Sequence, residues 1–238
     1  MQTRSLLIRS TVMLSLAMAR VALAQNDWPA YGRDPGAQRF SPLKQITPSN
    51  VSQLVPAWTF HTNPESDIPG KKTSNTTALM VNNVLYFATP YQSLVAVDPV
   101  TGKRIWTFDH KHAVRTSRGL AYWPGNRNGP PTLYFGTEDG FLIAVNALTG
   151  KLVPGFATEG ELDLKPGMKD DLPNAPYGLN GAPAVYKNLV FHRVAFAGLR
   201  LLRRQRRRSR LGHQHRQTCL DIPHGSEARR TGSRDLAR

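Results

Sequence analysis

A 48-residue step relates two parts of this chain. The recurring stretches are residues 85–89 and 133–137 (LYFAT and LYFGT), 95–98 and 143–146 (VAVD and IAVN), and 101–103 and 149–151 (TGK in both). The same step carries residues 105–108 (IWTF) back to 57–60 (AWTF). Repeats of this length, built from short β-type runs, are typical of a β-propeller in which each repeat is one four-stranded blade. We therefore predict an all-β fold, specifically a partial β-propeller.

The residues within one repeat support this fold. Residues 85–89 and 94–97 are rich in β-branched and aromatic side chains, as strands are. Gly102 supplies the positive φ that a tight hairpin needs between two strands. Trp106 is large and flat, and we expect it to wedge between neighbouring blades. The alternative is a β-sandwich whose strands resemble one another only in composition. Four separate stretches share the same 48-residue step, which argues against that alternative.

The first 24 residues have the features of an export signal. Arg4 and Arg9 precede the apolar run 12–19, and residues 22–24 (ALA) offer small side chains for cleavage. The apolar run is too short to span a bilayer. We expect a mature chain that begins near Gln25, resides in the periplasm and has no transmembrane segment.

The formal net charge of +15 is concentrated at the C-terminus. Residues 25–191 carry 15 Lys and Arg against 13 Asp and Glu, whereas residues 192–238 carry 13 Arg against 3 acidic residues. A binder of nucleic acid or of an anionic surface, acting through this tail, is one hypothesis. Phe196 is the one aromatic residue of the tail available for base stacking, and the export signal points away from nucleic acid.

Cysteine and histidine usage excludes several kinds of site. Cys219 is the single cysteine, so neither a disulfide, a CxxCH haem attachment nor a cysteine-based metal site can form within the chain. His110 and His112 are too few to argue for a metal site.

Three further segments are distinctive: residues 27–34 (DWPAYGRD) with the residues that follow to 60, residues 96–106 (AVDPVTGKRIW), and residues 118–125 (RGLAYWPG), which are the most specific. Together they resemble the quinoprotein dehydrogenases that use pyrroloquinoline quinone (PQQ). The resemblance implies an eight-bladed propeller that holds PQQ and Ca²⁺ on its axis. It also implies oxidation of an alcohol or a sugar, with electrons passed to a quinone or a cytochrome.

The resemblance implies three cofactor-binding residues. Arg118 matches the arginine that faces the acidic groups of the cofactor, and its planar guanidinium can grip a carboxylate with two hydrogen bonds. Asn75 stands where the family has Glu or Gln, and Asn180 where it has Thr or Ser; for both, a structural role in a turn is the alternative. The adjacent cysteine pair of the alcohol-oxidising branch is absent, which favours the branch of glucose dehydrogenases.

The sequence after Phe191 lacks the repeat pattern. Permitted codons for residues 206–238, read one nucleotide later, can spell a segment that contains AWDINTGKLAWTF, which matches residues 96–108. We therefore predict three parts: a signal peptide (1–24), a partial quinoprotein propeller (25–191), and a frameshifted, Arg-rich tail without regular structure (192–238).

A frameshift has a functional consequence. In the family, the catalytic aspartate and the calcium ligands come later in the sequence than the position of Phe191, where the repeat pattern breaks off. No catalytic or metal-binding residue is therefore assigned in this chain. We expect the chain as written to be inactive and not to retain PQQ. The alternative function is a cofactor-free periplasmic scaffold propeller of the kind that assists outer-membrane assembly, but it leaves the Arg118 motif unexplained.

Overall fold

The computed structural model describes residues 27–62, 74–91, 93–112, 119–166, 177–179, 181–193, 195–196 and 217–221. The strands are β1 (Leu79–Val81), β2 (Val84–Ala88), β3 (Ser93–Val97), β4 (Arg104–Asp109), β5 (Ala121–Trp123), β6 (Thr132–Gly136), β7 (Phe141–Asn146), β8 (Glu161–Asp163), β9 (Tyr177–Gly178), β10 (Ala184–Tyr186), β11 (Leu189–Arg193), β12 (Ala195–Phe196) and β13 (Gln217–Asp221). A single 3₁₀ turn, Val51–Gln53, is the helical structure of these ranges. None of the described residues belongs to a helix with the length and apolar character of a membrane span.

The strands form successive antiparallel sheets. Two four-stranded sheets have the orders β1-β2-β3-β4 and β5-β6-β7-β8, and we call them blade 1 and blade 2. A third sheet has the order β10-β11-β13, and β9 pairs with β12 in a short ribbon. Four strands that neighbour one another in sequence order are the meander of a propeller blade. The predicted all-β, partial propeller fold is confirmed.

The 48-residue repeat has a structural counterpart in the turn that precedes the outermost strand. In blade 1, the Oδ1 atom of Asp98 accepts backbone N–H groups two and three residues ahead, both at 2.8 Å. In blade 2, the Oδ1 atom of Asn146 accepts the backbone N–H two residues ahead at 2.9 Å. Gly102 and Gly150 close these turns at φ +69°, which explains the conserved spacing of the TG pair within the chain.

Two tryptophans, Trp58 and Trp106 of β4, each contact the blade that follows them in sequence, as the repeat predicts. The indole N–H of Trp58 donates to the carbonyl of Pro99, and that of Trp106 donates to the carbonyl of Ala147, each at 3.0 Å. A Cβ placed on Gly150 would lie 2.7 Å from the Trp106 ring, so the ring packs directly on the glycine backbone. The glycine therefore serves both the turn and the docking of the ring.

Blade 2 is buried on both faces. Side chains of successive strand residues point to opposite faces, so alternate residues contact different neighbours. One face packs on blade 1 through Leu133, Phe135, Ile143 and Val145. The other packs towards the third sheet through Tyr134, Leu142 and Ala144. Every residue of β6 is buried, which is the pattern of a blade in the interior of a stack.

The outermost strand of blade 2 departs from the repeat. Val145 pairs with Leu152, which keeps the 48-residue step from the matching pair of blade 1. Phe141 pairs with Asp163, six residues farther along than that step predicts. Pro154 stands 48 residues after the docking Trp106, and a proline cannot donate to the strand ladder. The chain therefore loops outwards and resumes pairing at β8.

Strands also occur within the segment expected to lack regular structure. β11 continues to Arg193, residues 195–196 form β12, and residues 217–221 form β13 beside β11. The run QTCLD contains β-compatible residues, which allows this pairing despite the absence of the repeat. The remainder of 192–238 and the predicted signal peptide (1–24) lie outside the described residues. The boundary at 191 and the frameshift stay predictions.

Candidate functional site

The first strands of three sheets begin beside one another. Thr77, just before β1, forms a parallel bridge with Gly119, just before β5. A Cβ placed on Gly119 would lie 3.4 Å from the Cβ of Ala182, just before β10, and 3.7 Å from the Tyr31 ring. We call Tyr31, Thr77, Gly119 and Ala182 the inner-strand cluster. Gly119 has φ +149°, which side-chain-bearing residues rarely adopt, so this backbone conformation favours glycine.

Of the three predicted cofactor-binding residues, one is described by the structure and two are neighbours of described residues in sequence. Asn75 is described, is exposed, and precedes Thr77 by two residues. Arg118 and Asn180 lie outside the described residues, although they directly precede Gly119 and Gly181 in sequence. A Cβ on Gly181 would meet no atom within 4 Å, so there is open space beside the start of the third sheet. Described residues that lie one or two positions after the three candidates in sequence, Thr77, Gly119 and Ala182, thus come together.

A group of charged and polar side chains lies where the end of β4 meets blade 2. His112 follows β4 and is only 6% exposed. Its Nδ1 lies 2.8 Å from an Asp139 carboxylate oxygen, in the turn between β6 and β7. Its Nε2 lies 3.2 Å from a carboxylate oxygen of Glu161 on β8, an ion-pair contact without hydrogen-bond geometry. We call His112, Asp139 and Glu161 the histidine clamp.

Burial and neighbouring charges shift two pKa values at this group. Burial, together with the nearby His112, lowers the pKa of His110 from its usual 6.5 to about 4. Burial raises the pKa of the Asp139 carboxyl, but hydrogen bonds from Thr137 and His112 outweigh it and hold that pKa below its ordinary value. His110 therefore stays neutral at physiological pH, packed against the Phe135 ring at 5.2 Å between centroids.

The histidine clamp joins the end of β4 in blade 1 to two carboxylates of blade 2. Lys165 reinforces it, since its ammonium donates to the Asp139 carbonyl at 2.8 Å and lies 3.8 Å from the centroid of the Phe141 ring. The His112 ring also packs on Phe141, at 4.1 Å between centroids. Among the residues that the structure describes, no group of three or more His, Cys, Asp or Glu side chains could hold a metal ion.

The histidine clamp leaves no trace in the 48-residue repeat. Its members come from three non-repeating positions: the residues 48 before Asp139 and Glu161 are Tyr91 and Ala113, which carry no matching charge. Glu161 reaches His112 because the six-residue loop of blade 2 displaces β8. Such a contact joins positions that the 48-residue step does not relate, so the repeat does not reveal it. The single available signal was the pair of histidines at 110 and 112, directly after a predicted strand.

The chain is similar in sequence to one family of known proteins. Residues 28–202 match the PQQ family described as "Glucose/ethanol/alcohol dehydrogenase, beta-propeller domain". The chain is 38% identical over 168 residues to the quinoprotein glucose dehydrogenase of Escherichia coli (strain K12), covering 63% of this chain and 21% of that protein. It is 36% identical over 176 residues to the dehydrogenase subunit of the quinone alcohol dehydrogenase of Gluconobacter oxydans (strain 621H), covering 69% and 20%.

A solved structure agrees with the sequence relationship. The quinohemoprotein alcohol dehydrogenase from Comamonas testosteroni superposes with a TM-score of 0.62 at 26% identity, covering 87% of this chain and 29% of that one. The chain thus spans about a fifth of the length of the curated relatives it matches. The family match covers well over half of the chain, from Trp28 through the inner-strand cluster and the histidine clamp. The chain therefore belongs to the PQQ family, the β-propeller domain of glucose, ethanol and alcohol dehydrogenases.

Proposed function

We propose that this chain is the N-terminal part of an exported, periplasmic PQQ-dependent dehydrogenase that oxidises an alcohol or a sugar. The complete protein would pass the electrons to a quinone or a cytochrome, and it would bind Ca²⁺ together with PQQ. The observation that carries the proposal is the inner-strand cluster. It brings together the three places in the sequence that carry the candidate cofactor residues.

Covalent geometry limits how far those residues can lie from the cluster. Neighbouring Cα atoms are about 3.8 Å apart, so Arg118 stands one such step from Gly119. Asn75 and Asn180 each stand two residues from a cluster member, within about 7 Å between Cα atoms. The side chains that we propose as PQQ ligands thus start from one small region. This convergence supports a shared ligand for all three.

The chemistry of the three side chains suits PQQ. The cofactor carries three carboxyl groups and a quinone, and it supplies the redox chemistry when it is bound. The Arg118 guanidinium offers paired N–H donors to a carboxylate or to a quinone oxygen. Asn75 and Asn180 offer amide groups that both donate and accept hydrogen bonds. The position beside Gly181 is open, with no atom within 4 Å of an added Cβ.

Replacing Arg118 by alanine tests the cofactor assignment in a frame-corrected, full-length protein. We expect PQQ to bind more weakly by about 1.5–3 kcal/mol, the cost typical of a hydrogen bond to a charged group. That cost corresponds to a roughly 10- to 150-fold higher Kd in fluorescence titrations. The matched control is Arg127→Ala, because Arg127 is an exposed arginine two residues after the 118–125 motif.

Two results of this titration would oppose the proposal. Equal PQQ affinity for Arg118→Ala and for the parent protein would refute the role of Arg118. Absence of PQQ binding by the parent itself would favour the cofactor-free scaffold function. Sequencing across the codons for residues 191–206 checks the frame independently of either result.

The chain as written should neither bind PQQ tightly nor oxidise alcohols or sugars. We propose that the base and the calcium ligands follow the break, so catalysis lacks proton abstraction and metal polarisation. The measurement is dye reduction by residues 25–238 with PQQ and Ca²⁺, tested with glucose and ethanol. Substrate-dependent reduction above a no-protein blank, or a higher melting temperature with PQQ, would overturn this expectation.

A further inference from the structure

A set of turns lies at the end of the sheets opposite the inner-strand cluster. β1, β5 and β10 begin at that cluster, and each pairs antiparallel with the strand that follows it. Successive connections of an antiparallel meander fall at alternate ends of its strands. The turns at the far end are residues 82–83, 98–103, 124–131, 147–151 and 187–188, which we call the turn rim. The Trp123 indole donates to the Lys187 carbonyl at 2.9 Å, so the rim turns of blade 2 and of the third sheet are neighbours.

The turn rim carries exposed apolar side chains at positions that the repeat relates. Val100 is 73% exposed and Leu148, which follows it by the 48-residue step, is 66% exposed. The side chains of Asp98 and Asn146 bind the backbone N–H groups of these two residues, so both project from fixed turns. Outside residues 31–55, the large hydrophobic side chains exposed in the described part of the chain all lie on the rim or within two residues of it: Val100, Ile105, Leu148 and Tyr186. Single exposed apolar residues are common, but apolar residues gathered at one end indicate an interaction site.

Cations accompany these apolar residues. Exposed lysines stand three residues after Val100, three after Leu148 and one after Tyr186: Lys103, Lys151 and Lys187. With the flanking residues Asp27 and Arg104 included, the rim has five cationic and two acidic residues: Lys103, Arg104, Arg127, Lys151 and Lys187 against Asp27 and Asp98. Both carboxylates already accept backbone N–H groups of rim residues.

The opposite end of the sheets has a different character. Its described connections, residues 89–91, 110–112, 137–140 and 164–166, balance two lysines against two acids: Lys111 and Lys165 against Glu138 and Asp139. None of the large hydrophobic side chains in these four stretches is exposed. Positive charge and exposed apolar side chains therefore coincide at the turn rim alone of these two ends.

We propose that the turn rim docks on a membrane surface that contains anionic phospholipids. The side chains of Val100 and Leu148 enter the boundary between headgroups and acyl chains, where apolar side chains are buried. The neighbouring lysines bind the phosphate groups, since cations near an anionic leaflet are attracted to it. A headgroup layer admits each turn tip separately, whereas a protein partner requires a surface of complementary shape. The rim lies at the far end from the candidate cofactor residues, so the inference is independent of PQQ.

Hydrogen–deuterium exchange with lipid vesicles tests where the chain docks. The probes are vesicles of an equal mixture of phosphatidylcholine and phosphatidylglycerol, and vesicles of phosphatidylcholine alone. Exchange of the amides within 98–103 and 147–151 should slow several-fold with the mixed vesicles and stay unchanged with phosphatidylcholine. Residues 137–140, at the opposite end, are the internal control and should not change. Protection confined to residues 31–55 or to the Arg-rich tail would overturn the inference. Equal protection of the rim by polyglutamate in solution would assign the rim to an acidic protein instead.

Charge variants separate the rim from the net charge of the chain. Lys103→Gln combined with Lys151→Gln should raise the apparent Kd for mixed vesicles at least tenfold in co-sedimentation, because each lysine at an anionic surface contributes roughly a fivefold change. Lys111→Gln combined with Lys165→Gln removes the same charge from the opposite end and keeps the tail, so its Kd should change far less. Equal weakening by the two pairs would refute docking through the rim.

An apolar variant tests insertion without changing the charge. Both Val100 and Leu148 are exposed, so Val100→Ser combined with Leu148→Ser retains the fold, which circular dichroism checks. This pair should also raise the apparent Kd for mixed vesicles several-fold, because the serines lose the burial of apolar surface in the headgroup boundary. An unchanged Kd for the serine pair would show that the tips do not enter the membrane and would overturn the inference.

Discussion

Replacing Trp106 by alanine is expected to lower the free energy of unfolding by about 3 kcal/mol, the lower end of the range for loss of a large aromatic ring. The ring is half-buried, packs on the backbone of Gly150, and donates a 3.0 Å hydrogen bond to the Ala147 carbonyl. Its loss opens the contact between blades 1 and 2 and leaves that carbonyl without the indole N–H. Urea denaturation at neutral pH, followed by fluorescence and circular dichroism, measures the difference.

Two further variants define what the tryptophan contributes. Trp106→Phe keeps an aromatic face over Gly150 but removes the N–H donor, so we expect a loss of about 1 kcal/mol relative to the parent from the hydrogen bond. Ile105→Ala is the matched control, because Ile105 is the neighbouring strand residue and is 51% exposed. Its effect should stay within about 0.5 kcal/mol. Equal losses for Trp106→Ala and Ile105→Ala would show that the ring does not join the blades.

Acidification is expected to destabilise the protein through His110. The unfolded chain binds a proton near the ordinary pKa of 6.5, whereas the folded chain binds it only near pH 4. Between these values the unfolded state carries more protons, so stability is complete above pH 6.5 and falls as the pH decreases towards 4. At about 1.36 kcal/mol per pH unit, the loss is about 2 kcal/mol at pH 5 and on the order of 3 kcal/mol over the whole window.

The variant His110→Phe isolates this effect. A phenyl ring suits the site, because Phe108 and Phe135 already surround His110 at 6.2 and 5.2 Å between centroids. Urea denaturation at pH 7.5 and 5.0 should show a smaller loss of stability for His110→Phe than for the parent. Asp109, His112 and Asp139, which also act on His110, are retained in both proteins. His61→Phe is the control at an exposed histidine. Parallel pH profiles for the parent and His110→Phe would contradict the assignment.

Repetition determined which features the sequence could predict. The docking of Trp58 and Trp106 follows from one offset, because equal spacing in a repeat places equal residues at equal positions in successive blades. The six-residue loop after Pro154 breaks that offset, so the sequence could not place β8 correctly. The histidine clamp depends on this displaced strand and was therefore missed as well. Long-range contacts between non-equivalent positions leave no periodic trace in a single sequence.

The candidate cofactor site was predictable only as three positions. The inner-strand cluster shows that the segments preceding β1, β5 and β10 converge, which the order of the strands alone does not require. Asn75 is exposed where a ligand was expected, and the position of its side chain relative to Arg118 stays a prediction. The order of residues in one sequence specifies neither the convergence of these backbones nor the direction of the candidate side chains, because both depend on contacts between distant segments.

The docking tryptophans also bear on how the chain reaches its native state. Each indole hydrogen bond joins residues 41 positions apart, and each strand pairs with a sequence neighbour within its blade. Because each contact stays within a blade or reaches only the next one, its loop-closure entropy does not grow with the length of the whole chain. Blade 2, buried on both faces, is the natural nucleus, with structure propagating outwards through one tryptophan contact at a time. Growth by nearest-neighbour addition allows a partial stack to assemble before any ring is closed.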